Sequence, residues 1–304
     1  HLSDRRQRQM CIRDRLCWLV FGHTGIAYAG NQTEILGGDW IAGAAIEGGI
    51  IVARVPNGAL VYFDDDAIET DSNGTFILGF HRDSDGDQIL VIIHPDGSQH
   101  RTRLTVAQRD YKVQRIDGLQ RKYVSPTEDV QRRIADDKAA VRAARAKDDA
   151  GNEAGAFLAG LDIPVDGLIT GVFGSQRILN GQPRAPHYGI DIAAPRGTAV
   201  LAPAGGRVTL VRDLYFSGWT VLVAHGMGLN SAFLHLDDVA VQTGDVIGRG
   251  TVIGSVGSTG RSTGPHLDWR LDWQGRRLDA ALVRRQIADA SQPVSYTHLT
   301  LPTI

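Results

Sequence analysis

The sequence predicts a mainly β protein in which a small β-sandwich, a linker helix and a second β domain follow one another. The 304-residue chain has 36 glycines and only 7% aromatic residues, a composition typical of turn-rich β structure. Short apolar runs alternate with turn sequences in both halves, and a charged helix-start pattern lies between them. The length allows two domains, each able to bury a core. With a net charge of -2, the chain has no electrostatic feature that favours nucleic acid as a partner.

The two ends of the chain do not fit this pattern. Residues 1–15 have no apolar period, and residues 293–304 continue nothing that precedes them. Both resemble translated adapter sequence, and the alternative is a disordered tail at each end. We interpret 1–15 as a non-native leader and 284–304 as a tail, of which at least 293–304 is non-native.

Residues 16–29 resemble the later part of a secretory signal peptide. They combine an apolar run with the small-residue pattern Ala27-Tyr28-Ala29. The run is too short to span a bilayer, so we expect no membrane span; the alternative is a buried N-terminal strand. Cys11 and Cys17 are the only cysteines, so the presumed mature chain has neither disulfides nor thiolate ligands. We expect an exported protein, periplasmic or at the cell surface.

Residues 30–115 are predicted to form the β-sandwich. Apolar runs separated by glycine-containing turns predict strands at 49–55, 59–63, 75–80, 88–93 and 99–106. No cluster of potential ligands is apparent here, so we expect this domain to position or regulate the second one.

Residues 116–160 are predicted to be a linker with one helix. Ser125 is a suitable N-cap, Pro126 a suitable first residue and Glu128 a suitable third residue. The helix should extend to about Asp148. Its apolar stripe is thin, which favours a solvated connector between the domains.

The second domain, 161–283, contains five side chains suited to a metal-dependent hydrolase: His187, Asp191, His235, His266 and Asp268. His266 and Asp268 are two residues apart on a predicted strand, so they face the same side. Zinc binds His nitrogen and Asp oxygen, and a catalytic site needs three protein ligands and an open position. The set therefore offers enough groups for three ligands and two acid–base partners.

The glycine-rich sequences around this set carry a family resemblance. The stretches 171–174, 187–195, 254–257 and 258–266 resemble the LytM/lysostaphin-type zinc endopeptidases, which cut peptidoglycan cross-links. The resemblance implies a LytM-type β-hybrid, or barrel-sandwich, domain. It also implies peptidoglycan as the partner, Zn²⁺ bound by His187 and Asp191, and His235 and His266 as catalytic, non-ligand histidines.

The sequence departs from the family at the third ligand. The family has the second His of an H-x-H pair there, and this chain has Asp268. An Asp oxygen is a legitimate zinc ligand, so we predict that Asp268 is the third one, in a site that activates water less strongly. The alternative is that Asp268 only forms a salt bridge with Arg270.

Two other functions compete with a zinc endopeptidase. Some family members have lost ligands and activate cell-wall amidases, which would make amidases or divisome factors the partners. The sequence at 244–257 also resembles the hairpin of lipoyl carriers. A carrier needs a lysine at the hairpin tip, and residues 160–283 contain none.

Overall fold

The computed structural model describes residues 34–84, 86–116, 128–147, 155–179 and 181–290. The predicted leader and signal peptide, the helix-start residues 125–127 and tail residues 291–304 lie outside the described residues. Within them the fold is mainly β, as the sequence predicts. None of the helices in the described part is long and apolar enough to cross a membrane.

The first domain consists of two small antiparallel sheets. The strands are β1 (Asp39–Gly43), β2 (Ile50–Arg54), β3 (Leu60–Phe63), β4 (Asp66–Ile68), β5 (Thr75–Gly79), β6 (Asp87–Ile93) and β7 (Gln99–Thr105). A three-stranded sheet has the order β1-β2-β5 and a four-stranded sheet the order β4-β3-β6-β7.

All five predicted strands of this domain occur to within two residues at each end. Their turns have glycines at positive φ, such as Gly58 at 84° and Gly97 at 83°, where a side chain would be strained. The strands β1 and β4 were not predicted. A further unpredicted strand, β8 (Val113–Ile116), follows the first domain and pairs in parallel with residues 176–179 of the second domain.

The linker helix α1 (Glu128–Arg145) is not wholly solvated. Ala144 is 3% exposed and packs in a small cluster with Leu222, Ala232 and Leu234 of the second domain. Asp137 accepts a hydrogen bond from the backbone N–H of Tyr215 at 2.8 Å. One face of the helix is therefore docked on the second domain, which a thin apolar stripe alone does not reveal.

The second domain is built around a ten-stranded sheet, which a short 3-10 helix at Ala156–Ala159 precedes. The strands of this domain are β9 (Leu168–Gly171), β10 (Gln176–Leu179), β11 (Gln182–Pro183), β12 (Ile190–Ala193), β13 (Ala199–Leu201), β14 (Gly206–Leu214), β15 (Gly218–Gly226), β16 (Leu229–Val239), β17 (Val246–Ile247), β18 (Val252–Val256), β19 (His266–Trp273) and β20 (Arg276–Leu278). The main path of the ten-stranded sheet runs β17-β14-β15-β16-β19-β12-β9, and the small strands β10 and β11 join β8 in a separate sheet.

The two domains share one apolar core. The ring of Trp273, on β19, lies 6.1 Å from that of Phe63, on β3, and both side chains are fully buried. The final helix α2 (Ala280–Ala290) continues past the predicted domain boundary at residue 283 and packs on β1 and β2. There Gln286 accepts a hydrogen bond from the N–H of Ile50 at 2.9 Å. The first domain is thus fixed against the second by side chains from both.

Candidate active site

Pairing of β12 with β19 brings the predicted ligands together. The two strands are antiparallel, and Asp191 is directly opposite Asp268 in their register. His187 lies just before β12, and His266 begins β19. One potential ligand atom from each of His187, Asp191 and Asp268 lies within 4.8 Å of the others. His235 lies on β16, which pairs with β19, so all five residues singled out from the sequence lie on the strands or loops that form this site.

Two glycines make room for the carboxylates. A Cβ atom on Gly171 would overlap the carboxylate of Asp191, and one on Gly189 would overlap Oδ1 of Asp268. Gly171 is opposite Asp191 on the neighbouring strand β9. A side chain at either position would displace a predicted ligand, which explains part of the glycine pattern in this domain.

His187 is held by its main chain. Its N–H donates to Ser175 O at 2.8 Å, and its carbonyl accepts from the N–H of Gly174 at 2.8 Å. Arg82, from the first domain, donates to the carbonyl of Gly174 through Nε at 3.0 Å and Nη2 at 2.8 Å. The ring of Tyr111 fills the space beside Gly174. The first domain therefore supports the loop that positions His187.

The imidazole of His187 is suited to bind a cation. Its Nε2 is buried without a hydrogen-bond partner and lies 3.2 Å from Oδ1 of Asp191. That separation is close to the ligand–ligand edge of a tetrahedral zinc site, roughly 3.3 Å for bonds of 2.0–2.1 Å. An unpartnered buried nitrogen beside a carboxylate is costly without a bound group. The donor set of one imidazole and two carboxylates thus fits a divalent cation.

Asp268 is held in a forked ion pair with Arg270. The guanidinium Nε lies 3.0 Å from each carboxylate oxygen, and Nη2 lies 2.5 Å from Oδ2. Burial of Asp268 opposes its ionisation, but the guanidinium holds the pKa of this carboxyl below its usual range. The carboxylate is therefore ionised. It keeps further lone pairs for another partner, because each oxygen offers two.

His235 and His266 form a pair of rings beside the carboxylates. Their centroids are 4.9 Å apart. Nδ1 of His235 lies 2.8 Å from Thr259 O, and Nδ1 of His266 lies 2.8 Å from Gly264 O. A carbonyl only accepts, so each Nδ1 carries the hydrogen of its bond, which leaves the lone pair of a neutral ring on Nε2.

The local backbone geometry sets the orientation of the His235 side chain. It has a positive φ of 64°, a conformation rare for residues with side chains. Its N–H donates to Ser217 O at 2.8 Å, and the pairing of β15 with β16 shifts register nearby. Burial lowers the pKa of His235, and this effect outweighs the hydrogen bond with Thr259, which raises the pKa. The ring is therefore neutral at pH 7. His266 Nε2 lies 3.8 Å from Oδ1 of Asp191.

A further histidine, His225, is structural. It is fully buried, with Nδ1 2.7 Å from Gly205 O and Nε2 2.8 Å from Ser231 Oγ. Burial lowers its pKa from 6.5 to about 4. Both nitrogens are satisfied, so this ring has no free atom for a substrate or metal.

Sequence reasoning missed the residues that support the site. Thr259 contacts His235, and Ser262 contacts His266. Arg82 donates a hydrogen bond to Gly174, which lies 92 residues away in the sequence. The short spacing of Asp268 and Arg270 on one strand did signal their ion pair, as the alternative to metal ligation. The long-range contact of Arg82 has no local sequence signal.

This centre combines potential metal ligands with a histidine pair, as a metal-dependent hydrolase site does. Residues 185–280 match the model of Peptidase family M23, so the second domain is a peptidase M23 domain.

Curated relatives resemble about a third of this chain. The chain is 41% identical over 96 residues to the peptidoglycan DD-endopeptidase ShyA of Vibrio cholerae. This alignment covers 32% of this chain and 22% of that protein. It is 40% identical over 106 residues to the DD-carboxypeptidase/endopeptidase Mpg of Neisseria meningitidis, covering 35% of this chain and 24% of that protein. The matches thus span less than a quarter of these relatives.

A solved structure extends the likeness to the whole architecture. A protein assigned to peptidase M23 from Pseudomonas aeruginosa is 28% identical, with a TM-score of 0.61. The match covers 81% of this chain and 96% of that one. The arrangement of both domains therefore has a precedent in a solved protein.

Proposed function

We propose that the protein is a zinc-dependent endopeptidase that hydrolyses peptide cross-links of bacterial peptidoglycan, in the periplasm or at the cell surface. The observation that carries the proposal is the convergence of His187, Asp191 and Asp268 beside the His235–His266 pair in an M23 domain. The similarity to a peptidoglycan DD-endopeptidase supports the substrate class.

His187, Asp191 and Asp268 would hold the Zn²⁺. When bound, a zinc ion polarises a peptide carbonyl and makes a bound water more acidic. His187 offers its unpartnered Nε2, and each Asp offers a carboxylate oxygen.

The two remaining histidines would handle the proton and the developing oxyanion. His235 is available as a proton acceptor, because burial lowers its pKa and keeps the ring neutral at pH 7, while its Nδ1 hydrogen is committed to Thr259. His266 is anchored the same way by Gly264. A ring that has taken up a proton at Nε2 can then donate to an oxyanion or a leaving amine.

The rim beside this pair has apolar side chains that could contact a peptide. Phe216 is 39% and Trp219 40% exposed, and the guanidinium of Arg261 lies 4.6 Å above the Phe216 ring. Ser217, between the two aromatics, accepts the N–H of His235. An extended peptide along this rim would reach the histidine pair.

One observation favours a second candidate, a catalytically inactive regulator of cell-wall amidases. Arg270 contacts both oxygens of Asp268, as expected if that carboxylate has only a structural partner. Such a regulator would bind an amidase or a divisome factor and need no zinc.

Digestion of purified peptidoglycan separates the two candidates. We expect zinc-loaded protein to cut an amide bond of the cross-links and so convert cross-linked stem peptides into uncross-linked ones, identified by mass, and chelated protein to leave the cross-links intact. His187→Ala should be inactive, whereas His225→Gln, which alters a buried histidine outside the site, should retain cleavage if folded. No cleavage by folded, zinc-loaded protein would favour the regulator.

A further inference from the structure

The ion pair of Asp268 and Arg270 lies inside the candidate metal site. Both residues are on β19, and Asp268 is 2% exposed while the Arg270 side chain is 31% exposed. Three nitrogen–oxygen contacts of 2.5–3.0 Å join them. Charges this close and this shielded interact more strongly than a surface pair.

We propose that Arg270 is a resident counter-charge that stabilises the metal-free site and lowers its affinity for a divalent cation. The inference rests on the proposed function, since it assigns Arg270 a role toward the metal. It makes Arg270 a positioning residue, which acts through Asp268 and does not touch substrate.

The metal-free site needs such a charge. Asp191 and Asp268 are directly opposite each other on neighbouring strands, an arrangement that is destabilising for like charges. Arg270 brings a positive charge into direct contact with one of them, Asp268. Without Arg270, the repulsion between the two carboxylates would lose this opposing charge.

A bound cation and the guanidinium would share one carboxylate. Both are positive, so each weakens the binding of the other. Loss of Arg270 would not release Asp268 from its position, because β19 is paired with β12 on one side and β16 on the other. Gly189 also lies directly against the Asp268 carboxylate. Repulsion therefore outweighs the orienting contribution of Arg270.

The consequence is a site whose metal exchanges more readily than in a site without the guanidinium. Its occupancy would follow the free zinc concentration around the protein. The protein would remain folded when zinc is scarce, because Arg270 replaces part of the missing charge.

The experiment measures zinc affinity by chelator competition and the thermal midpoint of the metal-free full chain. Arg270→Gln removes the charge, and Arg270→Lys retains it without the fork. Arg276→Gln is the matched control, because Arg276 is also partly buried and faces Asp64 at 3.5 Å, beyond the far end of β19.

We expect Arg270→Gln to bind zinc at least tenfold more tightly while its metal-free midpoint falls. Arg270→Lys should stay within about threefold of the wild-type affinity. Arg276→Gln should lower the midpoint without changing affinity. Opposite shifts in affinity and stability would not arise from a purely structural arginine.

If folded Arg270→Gln binds zinc no more tightly than the wild type does, the inference is overturned. In that case the proposed function still stands, provided that the wild type binds zinc. If no variant binds zinc, both fail. If Arg270→Gln unfolds without metal, recovery of the fold on zinc addition supports the inference, and failure to recover in saturating zinc overturns it.

Discussion

Asp191 and Asp268 are directly opposite each other across β12 and β19, so two carboxylates face one another at the centre of the site. One is matched by Arg270, and the other lies 3.2 Å from an imidazole nitrogen that has no hydrogen-bond partner. Such an arrangement is unfavourable unless a cation joins it. This relationship is the physical basis for the proposed metal site, which does not have the second histidine of the family pattern.

The role of Asp268 can be tested by removing its charge without changing its shape. If Asp268 is a ligand, Asp268→Asn and Asp268→Ala should each weaken zinc binding by about tenfold or more. Chelator competition measures this on variants shown to be folded. Wild-type affinity in both variants would make Asp268 a bystander and bring the regulator forward.

His235 should contribute to the chemistry and not to metal binding. Because its Nε2 is the free proton acceptor, we expect His235→Gln to lower kcat/KM by about a hundredfold or more. Zinc affinity should stay within about threefold of wild type, because the proposed ligands are unchanged. A large loss of zinc with His235→Gln would instead make His235 a ligand.

The buried His225 predicts a pH dependence of stability. Its pKa is lowered from 6.5 to about 4 in the folded state, so the unfolded chain binds the extra proton first as the pH falls. The stability it contributes is complete above pH 6.5 and is lost toward pH 4. Between pH 7 and pH 5 the loss should be about 2 kcal/mol.

Denaturant unfolding at the two pH values measures this loss. His225→Gln does not titrate, so its stability should fall by correspondingly less over the same interval. Parallel pH profiles for the two proteins would contradict the assignment.

The first domain should influence the site through Arg82. Arg82→Ala removes two charge-assisted hydrogen bonds to Gly174 O and should cost about 1.5–3 kcal/mol of stability. Zinc affinity should also fall, because Gly174 holds the main chain of His187. Arg103→Ala is the control, since Arg103 is an exposed arginine of the same domain. Unchanged zinc affinity in Arg82→Ala would show that the first domain does not position the ligand.

Local sequence signals predicted five of the seven strands of the first domain, and they singled out five residues that the structure brings near one another. Turn glycines fix where strands end, and the spacing of His266 and Asp268 places both on one face of a strand. That the three proposed ligands bind a metal remains a prediction.

Contacts between distant segments could not be predicted in this way. The docking of α2 on the first sheet, through Gln286 and Ile50, joins residues 236 positions apart. The support of His187 by Arg82 depends equally on how the domains pack. Neither contact leaves a periodic pattern in its own segment, so only the folded structure reveals it.

The most direct test of the central claim is the zinc content and affinity of the full chain compared with Asp191→Asn, together with cleavage of peptidoglycan. Asp191→Asn retains the shape of the side chain and removes the carboxylate that lies beside both His187 and His266. We predict one zinc per wild-type chain, and loss of both zinc and cleavage in the variant. Cleavage retained in a folded Asp191→Asn protein without zinc would contradict the account.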